Sequence, residues 1–212
     1  MARGPFSPTN NFFTSSVITS YPFTFSAWFN TSNNTISSGL VNTTELPSGD
    51  WIDLGIIPGG IVRASSTDFG VDSDGAVSSS GAGNDEWHNA CGVFAASDDR
   101  AAYLDGSSKG TTSVNIAANI GGMDEIQIGW FRAIGTGPSP HVIAEVGVWD
   151  VALTDEEIAV LGKGFSCHYI RPQNLIHHMP LVRRSLDLQG DLTEAGTVLV
   201  ADHPPIIGAI AV

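Results

Sequence analysis

Apolar residues come in short runs along this chain, each bounded by polar or glycine-rich clusters. FTFSAWFN (23–30), WIDLGII (51–57), ACGVFAA (90–96), AAYLDG (101–106), IQIGWF (126–131) and VIAEVGVWD (142–150) have the length and the β-branched or aromatic content of strands. Between them NTSNNT, PSGD, PGG and VDSDGAVSSSGAGNDE carry turn and loop chemistry. Many short strands joined by polar turns predict an all-β chain folded as an antiparallel two-sheet jelly-roll sandwich.

The stretch EWHNACGVFAASDDRAAYLDG (86–106) sets two apolar runs around the polar tip SDDR and reads as a hairpin. Its closing Asp105-Gly106 is a turn signal, because glycine adopts positive φ at little cost. Trp28, Trp87 and Trp149 fall at strand or strand-edge positions, where a large ring can fill the space between two sheets. One helix interrupts the pattern, near 155–162. Thr154 and Glu157 form a T-x-x-E capping box, and Asp155 and Glu156 suit the positive end of the helix dipole. Ile158 and Leu161 give it one apolar face, and Gly162 or Gly164 can end it. RPQNLIHHMPLV then reads as a further strand broken by Pro172 and Pro180.

A chain of 212 residues fits one such domain, taken as 1–203, followed by an apolar tail at 204–212. The tail's Ile206, Ile207, Ile210 and Val212 are candidate partner-binding residues, since IIGAIAV is either tucked against the domain or added to a neighbour. A formal charge of −13, with lysine only at 109 and 163, would repel phosphate backbones and anionic membranes, which excludes nucleic acid as a direct ligand. No apolar run approaches the ~20 residues that span a bilayer, so no membrane insertion is expected. The chain does not open on a basic and then apolar leader, which predicts synthesis in a cytoplasm without a secretory signal. Cys91 and Cys167 lie far apart with no CxxC grouping, a pattern that argues against zinc and leaves open whether they are bonded. Buried free thiols are the favoured state.

The order W-H-x-x-C-G-V-F, polar tip, then Y-L-D-G resembles a hairpin of laminin G-like and pentraxin-like jelly rolls in the concanavalin A-like lectin/glucanase superfamily. Trp87, His88, Gly92, Val93, Tyr103, Leu104, Asp105 and Gly106 carry the match. YPFTFSAWFN (21–30) looks like the early strand of that group and IQIGWF like the strand after the hairpin. AEVGVWDVALTDEEIAVLGKG is similar to its closing element. The continuation through IRPQNLIHHMPL and ADHPPI looks like the segment after that element in laminin G-like proteins encoded by tailed bacteriophages.

The resemblance implies loop-bound calcium, for which Asp72, Asp74, Asp98, Asp99 and Asp124, with Glu125 beside it, are the available acids. The same residues also read as ordinary solvated turn formers. Sugar-stacking candidates are Trp51 and Phe131, whereas Trp130 shares the parity of Ile126 and Ile128 and reads as core. A glycosidase needs two carboxylates ~5 to 5.5 Å apart for retention, and the E-x-D-x-E signature of laminarinase-like relatives is absent. His88 and Cys91 differ by three positions and should face opposite ways, as should His177 and His178, so neither pair builds a dyad on a flat strand. No catalytic residue is assigned.

The resulting expectation is a non-enzymatic structural or decoration protein of a bacteriophage virion. It would contact capsid or tail subunits, form a homo-oligomer and be released by lysis. A calcium-assisted adhesin for a host-surface glycan is the alternative, and a glycoside hydrolase a distant third.

Overall fold

Along β3 (Phe23–Asn30) the side chains divide by parity. Phe23, Phe25, Ala27 and Phe29 enter the main hydrophobic core, while Trp28 joins a separate apolar cluster with Ala2 and Ala144. That alternation is what a strand with two covered faces requires. The computed structural model describes the chain except residues 1, 5, 7–10, 16–17, 46–48, 69–71, 130–138, 182–191, 196–197 and 208–212, and only the backbone of 11, 12, 72, 73, 194 and 195.

β3 lies at the middle of the first of two antiparallel sheets. Its order is β10 (Ser107–Thr112), β9 (Asp99–Leu104), β8 (Trp87–Ala96), β3, β12 (Val142–Trp149), β1 (Ala2–Arg3) and β15 (Val200–Ala201). β13 (Leu175–Met179) pairs with the second half of β12. The second sheet runs β14 (Thr193–Ala195), β2 (Asn11–Thr14), β11 (Glu125–Ile128), β4 (Ser38–Thr44), β5 (Trp51–Ile57), β6 (Ile61–Asp68) and β7 (Asp72–Gly81). The jelly-roll sandwich anticipated from the pattern is the observed fold.

The core between the sheets is aromatic. Phe23 stacks on Phe94 with ring centroids 4.7 Å apart, and Phe25 meets Phe94 edge-on at 5.7 Å. Leu54, Ile56, Val62 and Ile126 oppose them from the second sheet. The three tryptophans do not fill this space, contrary to the expectation from their positions. Trp149 belongs to a second cluster on the outer face of the first sheet, with Cys91, Val93, Tyr103, Ile158, Leu161, Cys167 and Leu175. Trp28 and the half-buried Trp87 pack in a third cluster on that same face, because their parity along β3 and β8 is opposite to that of the phenylalanines.

Covering that outer face is the work of α1 (Asp155–Gly162) and the chain beyond it. Its capping box is formed as the sequence predicts: the Glu157 N–H donates to Thr154 Oγ1, and the Thr154 N–H donates to Glu157 Oε2 at 2.8 Å. Ile158 and Leu161 are its buried residues. The helix sits directly on the Asp105-Gly106 turn, where φ is 53° and 69°. A Cβ on Gly106 would come within 2.8 Å of Ala159 Cα, so this position needs glycine for both its φ and its packing. Asp105 also ties the hairpin ends together: Oδ1 accepts the Asn89 N–H at 2.9 Å and Oδ2 lies 2.8 Å from His88 Nδ1. The W-H…Y-L-D-G order is thus a structural lock.

The segment VDSDGAVSSSGAGNDE, read as a loop, instead contributes the ten-residue strand β7. Its small polar residues pair with β6 in register from Asp68↔Asp72 to Arg63↔Val77, and Ala76 and Ser78 point inward. As an edge strand it tolerates Gly and Ser that would weaken a central one. Both cysteines are buried and unbonded. No helix among the described residues is long and apolar enough to cross a membrane.

Phe94→Ala should lower stability by about 3–5 kcal/mol, because it removes the ring that both Phe23 and Phe25 contact. Urea unfolding of the two proteins measures it.

Candidate functional site

The five candidate calcium acids are not brought together. Asp98 and Asp99 are exposed at the β8–β9 tip. Asp74 is engaged within the protein: Oδ2 accepts from Thr112 Oγ1 at 2.5 Å and from Arg100 Nη2 at 3.3 Å. Arg100 is fully buried and also donates to the carbonyls of Ser97 and Val114, so this contact fastens the hairpin tip to the edge of the second sheet. Asp72 pairs through its backbone with Asp68, and its side chain lies outside the described atoms. Asp124 is exposed ahead of β11, and β11 is four strands from β7, or about 19 Å at the usual ~4.8 Å spacing. Calcium takes 6 to 8 oxygens around one point. Among the described residues no three of these carboxylates lie within ligand reach of one another.

The stacking candidates fare no better. Trp51 is only 4% exposed and so offers no ring face to a sugar, while Phe131 lies outside the described residues. In the tail, Ile206 packs toward Ala2, Trp28 and Ala144, and the Ile207 N–H donates to the Gly164 carbonyl at 2.6 Å. The tucked arrangement therefore holds for 206–207, with the Ile207 side chain still 51% exposed. Ile210 and Val212 lie outside the described residues.

A polar row that the sequence pattern did not reveal crosses the outer face of the second sheet. In register from β11 to β6 stand Gln127, Asn42, Asp53 and Ser65, on strands whose alternate residues Ile126, Ile128, Val41, Ile52, Leu54 and Ala64 fill the core. Three strand spacings make this row about 14 Å long. Glu125 and Arg63 flank it: Gln127 Nε2 donates to Glu125 Oε1, and Arg63 Nε donates to Ser65 Oγ at 3.1 Å. All four members are buried. Asp53 Oδ1 has no hydrogen-bond partner, and the carboxyl lies so close over Gly55 that a Cβ there would sit 2.6 Å from Oδ2. Burial pushes the Asp53 carboxyl up to about 7, against a smaller opposing pull from Arg63. A signal was present as a lone polar residue inside two apolar runs, I-D-L and I-Q-I, but not around Asn42 in the polar V-N-T-T.

With this geometry in hand, the comparisons with known proteins agree on the architecture. A family model described as the concanavalin A-like lectin/glucanases superfamily, Laminin_G_3, matches residues 9–159, and the chain belongs to that family. Among solved structures, it is similar to a heptameric SAP-like pentraxin from Limulus polyphemus, with 15% identity, a TM-score of 0.66, and coverage of 96% of this chain and 94% of that one. It is also similar to the CBM40 of a Ruminococcus gnavus IT-sialidase bound to α2,3 sialyllactose, at 14% identity and a TM-score of 0.61, covering 76% of this chain and 97% of that one. The binding domain of botulinum neurotoxin serotype D gives 12% identity and a TM-score of 0.53 over 75% of this chain and 42% of that one. At such identities the likeness is one of fold. No curated protein matches the sequence.

Asp53 makes stability depend on pH. Its folded pKa is raised, so its contribution is fully present below about pH 4 and is lost as pH rises through about 7. The loss is on the order of a few kcal/mol. Asp53→Asn should flatten the decline between pH 4 and 7 relative to the parent, as followed by urea midpoints across that range.

Proposed function

We propose that this protein is a non-catalytic module of a larger assembly, joined to further copies of itself and to neighbouring subunits through the chain-end edge of its first sheet. The observation that carries this reading is the exposed apolar surface at that edge. Leu199 is 62% exposed, Val200 47% and Ile207 51%. Val200 opens the strand β15, which among the described residues pairs with β1 on one side only, and β1's Ala2 is packed near Ile206. The opposite end of the sandwich is closed: β10 lies against β7, with Gly110 facing the Val77 carbonyl so closely that a Cβ would meet it at 1.7 Å. An unpaired strand flanked by exposed aliphatic side chains is a site for strand addition.

The assembly is a virion, with capsid or tail subunits as the neighbours. The resemblance of the closing element and the chain beyond it to phage-encoded laminin G-like proteins supports that context. Absence of catalysis is supported by the sites themselves. Cys91 packs in the helix-side cluster while His88 contacts Phe29, on the opposite parity, and Asp53 is a single buried carboxyl within an amide and hydroxyl row.

A second reading is glycan recognition, favoured by the sialyllactose-bound CBM40 of the same fold. The two readings predict different losses. Leu199→Asp with Val200→Asp alters exposed positions, where substitutions cost little folding energy, within about 0.5 kcal/mol. The paired change should convert a defined oligomer of the full chain to monomer by native mass measurement, with an unchanged circular dichroism spectrum. A wild-type chain that is already monomeric, but binds a sialylated or other glycan, would overturn the assembly reading in favour of the second.

A further inference from the structure

On the outer face of the first sheet, four chemistry-bearing side chains converge from four separate parts of the chain. β12 carries a bulge between Ala144 and Gly147 where it pairs with β3, and Glu145 inside it has φ 47°. A bulge re-aims a side chain, and positive φ is costly for a non-glycine residue. Here it turns the carboxylate, 3% exposed, toward Ser166 and toward His178 on the neighbouring strand β13. Glu145 Oε2 lies 3.0 Å from His178 Nε2 and accepts from Ser166 Oγ at 3.1 Å. Cys167 Sγ is 3.4 Å from the Glu145 carbonyl. One ligand atom each from Glu145, Cys167 and His178 lies within 4.8 Å of the other two.

His203 supplies the observation that points to a cation. Its Nδ1 is 3.0 Å from the Pro204 carbonyl, which can only accept, so Nδ1 carries the proton. In the neutral ring Nε2 then presents a lone pair. That nitrogen is buried, makes no hydrogen bond of normal geometry among the described residues, and faces Glu145 Oε1 at 3.7 Å. A lone pair aimed at a carboxylate is repulsive unless something positive lies between them. The outward Nδ1–H to carbonyl bond is also the arrangement that orients a metal-ligating imidazole.

We propose that Glu145, Cys167, His178 and His203 form a site for a thiophilic divalent cation of the zinc class. A thiolate and a carboxylate balance the charge of a divalent ion, and two imidazoles complete four ligands. This donor set suits zinc and not calcium, which takes oxygen. Zinc to ligand distances of about 2.0–2.3 Å place tetrahedral donors roughly 3.3–3.8 Å apart, so Glu145, Cys167 and His178 close by about 1 Å or less on binding, while His203, 3.7 Å from Glu145 but outside that 4.8 Å group, moves further. Burial, with the Glu145 carboxylate adding to it, holds the Cys167 thiol well above its ordinary pKa, so it is protonated before binding. The cation replaces that proton, which leaves to solvent. Cys91, buried in the same apolar cluster, takes no part. The site is separate from the β15 edge and stands or falls independently of the assembly reading.

Cobalt(II) titrated into chelator-treated full-length protein tests this, with zinc competition and a fold check by circular dichroism. The expected result is one equivalent bound, with thiolate-to-cobalt charge-transfer absorption that zinc abolishes. Cys167→Ser should eliminate that absorption and Cys91→Ser should keep it. His203→Ala, at a partly exposed position, should weaken binding by at least the about 10- to 100-fold typical of losing a supporting partner. No charge-transfer absorption in the wild-type protein would overturn the proposal. So would absorption that survives Cys167→Ser and disappears in Cys91→Ser, or binding indifferent to His203→Ala.

Discussion

The first sheet of this protein is apolar on both faces, and the rest of the molecule is shaped by having to cover both. A two-sheet sandwich hides one face of each sheet. Phe23, Phe25, Phe29 and Phe94 meet the second sheet, while Trp28, Trp149, Val93 and Tyr103 point the other way. Fully burying a single large apolar side chain is worth about 1.5–3 kcal/mol. The chain after β12 therefore supplies a third layer: α1, the short turn around Cys167 and residues 206–207 lie over that outer face. Trp149 Nε1 donates to the Ile170 carbonyl at 2.7 Å, giving the buried ring its polar partner in the same layer.

That third layer also locates the chemistry. The loop tips, where calcium was expected, hold acids that are dispersed or already bonded within the protein. Under the covering layer, by contrast, a glutamate, a cysteine and a histidine lie within 4.8 Å of one another, with a second histidine 3.7 Å from the glutamate. The second sheet answers the same demand differently. Its outer face carries a polar row whose Asp53 pKa is raised to about 7 by burial, so that below neutral pH the carboxyl is largely protonated and no full charge is stranded there.

Much of this was legible in the sequence where a segment's own pattern decides its structure. β3 and β5 occupy the very residues their apolar runs mark, and the T-x-x-E box locates α1 because capping is a local contact between residues three apart. β4, β6, β7 and β10 were not legible. SGLVNTT, IVRASSTD, DSDGAVSSSG and SSKGTT are polar or glycine-rich and become strands because a neighbour offers its edge. The tryptophans were assigned to the wrong space because ring size marks burial but not which face is buried. Asp53, Asn42 and Gln127 align only through register between strands distant in sequence. The cysteine spacing gave no sign of the cluster of Glu145, Cys167 and His178, because the familiar Cys-x-x-Cys pattern belongs to a local turn, whereas these residues are distant in sequence and meet only in the folded chain. The rule that adjacent strand residues face opposite ways did hold: His178 meets Glu145 and Ser166, and the second imidazole there is His203 and not His177.

Hydrogen exchange resolved to single amides, on the full chain and on one ending at His203, tests the third layer most directly. The Ser166 N–H donates to the Ile207 carbonyl at 3.2 Å, and the Glu145 N–H donates to the Pro180 carbonyl beneath the same cover. The account predicts that removing 204–212 speeds exchange at Ser166 and Glu145 while leaving β5 and β6 protected. Unchanged exchange at both amides would mean that the chain end is not part of a layer that holds the outer face closed.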